Sequence, residues 1–406
     1  MYYNYSTLQP GAADTWQQLL QVAIQHRASD IHLEPDASGL TARVRIDGVL
    51  VAATHIGAAP IDAALKDSLR SYIKISASMD IAQQRLPQDG HWLAKLPNNG
   101  TQDCRIASMP TAMGEKLVIR LLANNSQCTP LVQLGYNAAQ LATLHSSLRA
   151  PHGLILMTGP TGCGKTTSIY SALQTLDLAH INVCTIEDPV ELLLTQVHQI
   201  QVNEAAGLSF TAALRAILRQ DPDVIVVGEI RDKTSAHMAV QAAQTGHLVI
   251  STLHANNAPQ AITRLIHMGV AAVDLTSSIQ LITAQRLLRE LCPICKEPTA
   301  LTPLQAQAWL HNGLAAPEFM YQPPHKPSEC LACINGYMGR FGIYQMLAMT
   351  KTLGQACLNQ GDEQSLQTAA TQSGTHTLAH NALQRITQGS TSWQEALRHV
   401  TLEAAQ

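Results

Sequence analysis

The stretch Gly159-Pro-Thr-Gly-Cys-Gly-Lys-Thr166 constrains the fold of this chain more than any other, because its residue types suit one local geometry. Gly159, Gly162 and Gly164 free the backbone to curl its N–H groups around phosphate oxygens, Lys165 adds a point charge, and the Thr166 hydroxyl can ligate Mg²⁺. The apolar run Leu154-Ile-Leu-Met157 precedes it and the helical pattern TTSIYSALQTL follows, the strand–loop–helix setting that such a loop requires. The candidate nucleotide-binding run is therefore Gly159, Pro160, Thr161, Gly162, Cys163, Gly164, Lys165, Thr166 and Thr167.

The rest of this half of the chain keeps the same rhythm. LILMT (154–158), a helix from Lys165, INVCTI (181–186), a helix near TAALRAIL (211–218), DVIVVGE (223–229), another helix and HLVIST (247–252) follow one another. Short apolar runs alternating with helices predict a mostly parallel sheet covered on both faces. Nearer the N-terminus, residues 15–28 space Trp16, Leu19, Leu20, Ala23 and Ile24 as a helix does, and LTARVRIDGVLVAA alternates like a hairpin turning at Asp47-Gly48. A chain of 406 residues is too long for one core. The expected organisation is a smaller α+β domain over 1–122, a linker over 123–135 signalled by ANNSQCTP, and an α/β phosphate-loop domain over 136–406.

Two acidic motifs accompany the loop. DVIVVGEIRD delivers Glu229 at a strand tip, while Gly228 stands where most phosphate-loop enzymes place an aspartate, so Glu229 is the candidate for activating water. The alternative is a surface ion pair between Glu229 and Arg231. TIEDPVE puts Glu187, Asp188 and Glu191 just past another strand end, where carboxylates can hold Mg²⁺ through water or orient a nucleophile. A plain Asp188-Pro189 turn with Glu191 as a cap is the competing reading. His254, at the end of the HLVIST strand, could sense a γ-phosphate by hydrogen bonding, although with 17 histidines in the chain no single one stands out.

Cys292-Pro-Ile-Cys295 and Cys330-Leu-Ala-Cys333 form two CxxC knuckles, the usual supply for a tetrahedral structural Zn²⁺. Four thiolates leave no open coordination position, so such an ion would staple a subdomain, placed at 285–346 with an inserted α-helical hairpin such as TPLQAQAWLHNGL. Either pair alone could instead be a redox site. Cys104, Cys128, Cys184 and Cys357 have no partner spacing and read as small apolar residues.

Composition narrows the function classes. A net charge of −3 with 14% charged residues offers no basic footprint, so no nucleic acid is expected as a partner. No apolar run reaches the roughly 18–20 residues that span a bilayer, and MYYNYSTLQPGAADTW has neither a basic n-region nor an apolar h-region. A cytoplasmic protein without a transmembrane segment is the expectation.

GPTGCGKTT, TIEDPVE, VIVVGEIRD and GHLVISTLHAN, in this order, resemble the ATPases that power type II secretion and type IV pilus assembly. The likeness extends to ASDIHLEP, ARVRIDGVL, RLPQDG, GEKLVIRLL, ITRLIHMGV, AQRLLRELCPIC and GRFGIYQML, from about residue 15 to 350. It implies a RecA-like domain using ATP, Mg²⁺ and Zn²⁺, a PAS-like N-terminal domain, and a homo-hexamer working on an inner-membrane platform protein. Such a chain would sit in the cytoplasm, with peripheral association at the inner face of the inner membrane. Arg43, Arg45, Arg105 and Arg120 match family arginines that would neutralise charge on the γ-phosphate; each could instead be a solvated surface charge. Retraction motors of the superfamily lack the paired CxxC module, so its presence favours assembly. The chain departs from the family at Cys163 for serine, His91 for arginine, Asn257 for aspartate and Gln345 for glutamate. A depressed thiol pKa at the helix N-terminus would make Cys163 oxidisable; a small neutral filler is the other reading. A catalytically weak nucleotide-binding scaffold is the alternative function.

Overall fold

The computed structural model describes residues 11–37, 39–96, 100–122, 128–326, 330–359 and 361–402. Residues 1–10, on which the reading of the N-terminus rests, and 123–127 of the expected linker lie outside the described residues. Two compact units divide the chain between residues 126 and 127.

The first unit is an antiparallel sheet with two helices, α1 (Ala12–Gln25) and α2 (Lys66–Ser76). Its strands are β1 (Asp30–Asp36), β2 (Gly39–Ile46), β3 (Val49–Ala52), β4 (Gln88–Lys95), β5 (Thr101–Thr111) and β6 (Gly114–Leu121), in the order β3-β2-β1-β6-β5-β4. Alternation sorts the two faces. Ile31, Leu33, Val44, Ile106, Leu117 and Ile119 are buried, with Trp16, Leu20, Leu69 and Ile73 of the helices also in the core. The opposite parity carries charge: the register sets Arg45, Asp30, Arg120 and Arg105 in one row across four strands.

The second unit is built on β7 (Gly153–Thr158), β8 (Val183–Glu187), β9 (His198–Gln201), β10 (Val224–Val227), β11 (Leu248–Leu253), β12 (Ile279–Leu291) and a late strand. α3 (Ala138–Leu148) precedes β7, α4 (Lys165–Leu173) follows it, and α5 (Phe210–Ile217) and α6 (Lys233–Gln244) flank β10. α7 (Ala258–His267) and α8 (Ala272–Ser278) lead into β12. Beyond it come β13 (Glu297–Ala300), α9 (Pro303–His311), β14 (Phe319–Gln322) and the late strand β15 (Tyr337–Ala348). α10 (Lys351–Asn359), α11 (Glu363–Gln372), α12 (Leu378–Thr387) and α13 (Trp393–Leu397) finish the described chain. The sheet runs β15-β12-β7-β11-β10-β8-β9, parallel throughout except for β12 against β15. Successive residues of β7 serve opposite cores: Leu154 and Leu156 pack on one face, Ile155 and Met157 on the other. That double burial is why the strands read as continuous apolar runs.

Two expected boundaries move. Residues 128–135 belong to the second unit, because Leu131 is buried in its core and the carbonyls of Thr129 and Leu134 accept bonds from the Ser171 and Tyr344 hydroxyls. The expected 285–346 subdomain overlaps sheet strands at both ends, so the excursion itself occupies 292–336. Among its described residues it holds one helix, α9, and the antiparallel pair β13–β14 rather than a helical hairpin. Cys104, Cys184 and Cys357 are buried, as small apolar residues would be, whereas Cys128 is only half-buried.

The C-terminal helix α13 is fastened by a buried ion pair. Glu395, 2% exposed, accepts from Arg289 Nη2 at 2.6 Å and Nε at 3.0 Å, and lies 3.3 Å from His399 Nε2. Burial raises its carboxyl, but bonds from His399 and Arg289 outweigh that and hold it at about 2. A depressed folded-state value means that its stabilisation is complete above the ordinary 4.5 and is lost as pH falls towards 2. Glu395→Gln strands the Arg289 charge and should cost about 3 kcal/mol at pH 7. Thermal melts should show that loss shrinking between pH 5 and pH 2.5; equal melting temperatures for the two proteins at pH 7 would refute it.

Candidate nucleotide and metal sites

The carboxyl ends of β7, β8, β10 and β11 open on one cleft of about 540 Å³. The phosphate loop leaves β7 and feeds α4, whose first turn points its free N–H groups into that cleft. Gly159 takes φ 148°, and a Cβ there would lie 2.6 Å from both Cys163 Sγ and the Gln285 carbonyl, so glycine is required by space as well as by angle. Thr161, Gly162, Gly164, Lys165, Thr166 and Thr167 line the cleft. Gly159 and Pro160 line the neighbouring cavity instead, and their carbonyls accept from Lys165 Nζ at 2.8 and 3.1 Å. Burial lowers the Lys165 pKa.

Cys163 points inward and is 4% exposed. Burial pushes its thiol up, against the smaller opposing pull of Lys165 and Arg286. The depressed pKa that would make it oxidisable is therefore not present; the residue fills space beneath the loop.

Glu229 follows β10 and faces the cleft, 25% exposed. Arg231 Nε donates to one of its oxygens at 2.8 Å and His254 Nε2 lies 3.1 Å from the other, while Arg231 Nη1 reaches Asp188 at 3.3 Å. The Glu229–Arg231 pair anticipated as an alternative thus exists, and it exists inside the cleft. Gly228 has a steric reason: a Cβ there would stand 2.7 Å from the Ile186 carbonyl of β8, so no aspartate fits.

Glu187 differs from its expected role. It is 6% exposed, and Thr185 and Gln199 donate to one oxygen at 2.6 and 3.1 Å while the Tyr170 hydroxyl donates to the other. Both oxygens are committed to protein donors, so Glu187 braces the floor of the cleft. Asp188 and Glu191 line it and are exposed. Tyr170 was missed in the sequence; its signal is its place one helical turn after Thr166. Arg340, within the GRFGIY motif, also lines the cleft.

In the first unit the four arginines share one sheet face. Arg43 donates to Glu34 at 2.6 and 2.9 Å and, with Lys116, holds that carboxyl at about 2. Arg45 and Arg120 lie 3.7 and 3.2 Å from Asp30, and Arg105 stands opposite Arg120 and His91. Two of the departures from the family keep a structural bond. Asn257 caps α7 through Gln260 N at 2.7 Å, and Gln345 accepts from Ala258 N at 3.0 Å. His91 Nε2 lies 2.7 Å from Asp103.

The four knuckle cysteines converge, with their Sγ atoms all within 4.8 Å of one another; Cys292–Cys330 measure 4.0 Å and Cys295–Cys333 3.6 Å. Zn–S bonds of about 2.3 Å in a tetrahedron place sulfurs about 3.8 Å apart, so the donor set fits Zn²⁺.

A sheet in which the phosphate-loop strand lies between the last and the fifth of six parallel strands, with an acid at the tip of the fourth, defines a RecA-like phosphate-loop domain. The family model "Type II/IV secretion system protein" matches residues 9–398, and the chain belongs to that family. The type IV pilus assembly ATPase PilB of Acinetobacter baylyi is 43% identical over 387 residues, covering 95% of this chain and 65% of that protein. A protein transport protein HofB homolog of Escherichia coli is 42% identical over 386 residues, covering 95% and 81%. The chain therefore spans just under two thirds of the PilB relative. Among solved structures, the pilus retraction motor PilT with bound ADP aligns with TM-score 0.60 at 24% identity over 95% of this chain and 96% of that one. The ATPase DotB of Yersinia pseudotuberculosis aligns with TM-score 0.68 at 18% identity over 99% and 97%. At these identities the structures speak to fold alone. No helix among the described residues is long and apolar enough to cross a membrane.

Proposed function

We propose that this chain hydrolyses Mg-ATP to drive assembly of a type IV pilus or a type II secretion pseudopilus. The observation that carries the reading is the single cleft in which Lys165, Thr166 and Glu229 meet. Lys165 and the loop N–H groups hold the β- and γ-phosphates, the Thr166 hydroxyl with Asp188 holds Mg²⁺, and Glu229 orients and deprotonates the attacking water. When bound, Mg²⁺ would supply positive charge to the nucleotide phosphates. His254 and Arg231 set the orientation of the Glu229 carboxylate, and Glu187 fixes the wall behind it. The four-cysteine cluster holds a structural Zn²⁺ and takes no part in the chemistry.

The family relationship supports the larger assembly: a homo-hexamer at the cytoplasmic face of the inner membrane, acting on a platform protein, with Arg43, Arg45, Arg105 and Arg120 supplying positive charge to the γ-phosphate. The present carboxylate partners of Arg43, Arg45 and Arg120, which are Glu34 and Asp30, would have to release them. Phosphate release by the purified wild-type chain is the test. Mg²⁺-dependent turnover supports the motor, whereas tight ATP binding with no release over hours leaves a nucleotide-binding scaffold.

A further inference from the structure

A second cavity of the same unit, about 630 Å³, lies between the β12–β15 edge and the C-terminal helices. Its volume is that of small-molecule sites, a few hundred to about a thousand Å³. Arg286, Arg398, His311 and His399 line it together with the amides of Asn256 and Gln345, and no Asp or Glu is among the described lining residues.

Arg286 is the unusual member. It is 8% exposed, and its guanidinium donates to two main-chain carbonyls, Asn256 at 2.7 Å and Gln285 at 3.0 Å. Neither carries a formal charge. Two carboxylates bonded to lining residues are already engaged: Glu395 serves Arg289 at 2.6 Å, Arg398 at 3.8 Å and His399 at 3.3 Å, and Glu363 takes the Asn257 amide at 2.8 Å. One carboxylate thus answers two guanidinium groups and an imidazole, and among the described residues none pairs with Arg286. A buried cation bonded only to neutral acceptors is costly, and an anion beside it would offset that cost.

We infer that this cavity binds a small phosphorylated solute, with Arg286 as its deep anchor and Arg398 at its rim. Guanidinium groups match phosphate oxygens in fork geometry, and the Asn and Gln amides supply the neutral donors and acceptors that a phosphorylated metabolite presents beyond its phosphate. The site is separate from the nucleotide cleft but touches it. A Cβ on Gly159 would lie 3.3 Å from Arg286 Nη1, and the adjacent Gln285 donates to the Cys163 carbonyl at 2.6 Å, so an anion held here would press on the back of the phosphate loop.

Binding can be read without ATP turnover, so it is independent of the proposed motor. Inorganic pyrophosphate is titrated calorimetrically into Lys165→Ala, in magnesium-free buffer, so that the nucleotide cleft has lost its phosphate charge. One-to-one binding is expected. Adding Arg398→Gln, a largely exposed position, should weaken it about fivefold, and adding Arg286→Gln at least tenfold, each in a variant whose melting temperature shows it folded. Arg219→Gln, at an exposed position outside the cavity, should change nothing. Heat only in chains that retain Lys165, no binding at millimolar pyrophosphate, or equal affinity in all three double variants would overturn the assignment.

Discussion

Glu229→Gln is expected to bind ATP within about threefold of wild type while losing ATP turnover by a factor of about 10² to 10⁴, the usual span for removing a positioned general base. The separation of the two effects follows from geometry. Nucleotide affinity rests on Lys165 and the loop N–H groups, none of which bonds to Glu229 in the structure. The amide is isosteric: its oxygen can still accept from Arg231 while its nitrogen can donate to His254 Nε2, so the cleft should keep its shape. What it loses is the capacity to take a proton from water. Equilibrium binding of a fluorescent ATP analogue and continuous phosphate release, on the same preparation, measure the two quantities. Equal turnover would remove Glu229 from the chemistry and return it to the ion-pair role with Arg231.

The same contacts sharpen the contrast with Glu187. On sequence both acids sit at strand tips, and both read as catalytic. Glu229 is held by two side chains that could let go, and it is partly exposed. Glu187 is buried with both oxygens bonded. Substituting Glu187 by glutamine should therefore alter stability before chemistry.

The sheet was legible because its strands are buried on both faces: LILMT, DVIVVGE and HLVIST each became a strand within a residue or two of their apolar limits. The phosphate loop and the cysteine knuckles were legible because their chemistry demands fixed local spacing. What stayed hidden depends on pairs far apart in the chain. Nothing in TIEDPVE reveals that Tyr170 and Gln199 will occupy Glu187, and nothing near Cys163 reveals the burial that raises its thiol. Residues 128–135 read as part of a linker because Asn, Ser, Thr and Pro cluster over 123–130, yet Leu131, with Cys128 and Leu134 packed beside it, docks them on the second unit's core. The C-terminal network of Arg289 and Glu395, 106 residues apart, has no sequence signature at all.

Removing the metal should produce the other large change. Purified under reducing conditions, the chain is expected to carry about one zinc per molecule, and Cys295→Ser should lower that to a small fraction, since a three-thiolate site is open to water. The consequence for folding is local in origin. Zinc-finger peptides draw about 10–16 kcal/mol from the metal because nothing else holds them. Here β12 and β15 close the base of the excursion through ten paired positions, and Trp309 of α9 is fully buried, stacked 5.6 Å from Trp393 and donating to Thr387 at 2.9 Å. The sheet and α9 therefore have their own support, while the knuckle tips, with Ile294 73% and Leu331 99% exposed, would depend on an ion held by the four thiolates. Cys295→Ser, or treatment with a strong chelator, should expose 292–300 and 330–336 to limited proteolysis at rates raised by about two orders of magnitude, because local opening replaces a bound metal. Cleavage near the phosphate loop should stay unchanged. Metal analysis together with mass mapping of the first cuts distinguishes the outcomes: no bound zinc in the wild type would dissolve the structural-metal reading, and first cuts spread across the whole second unit would mean that the ion supports the entire sheet.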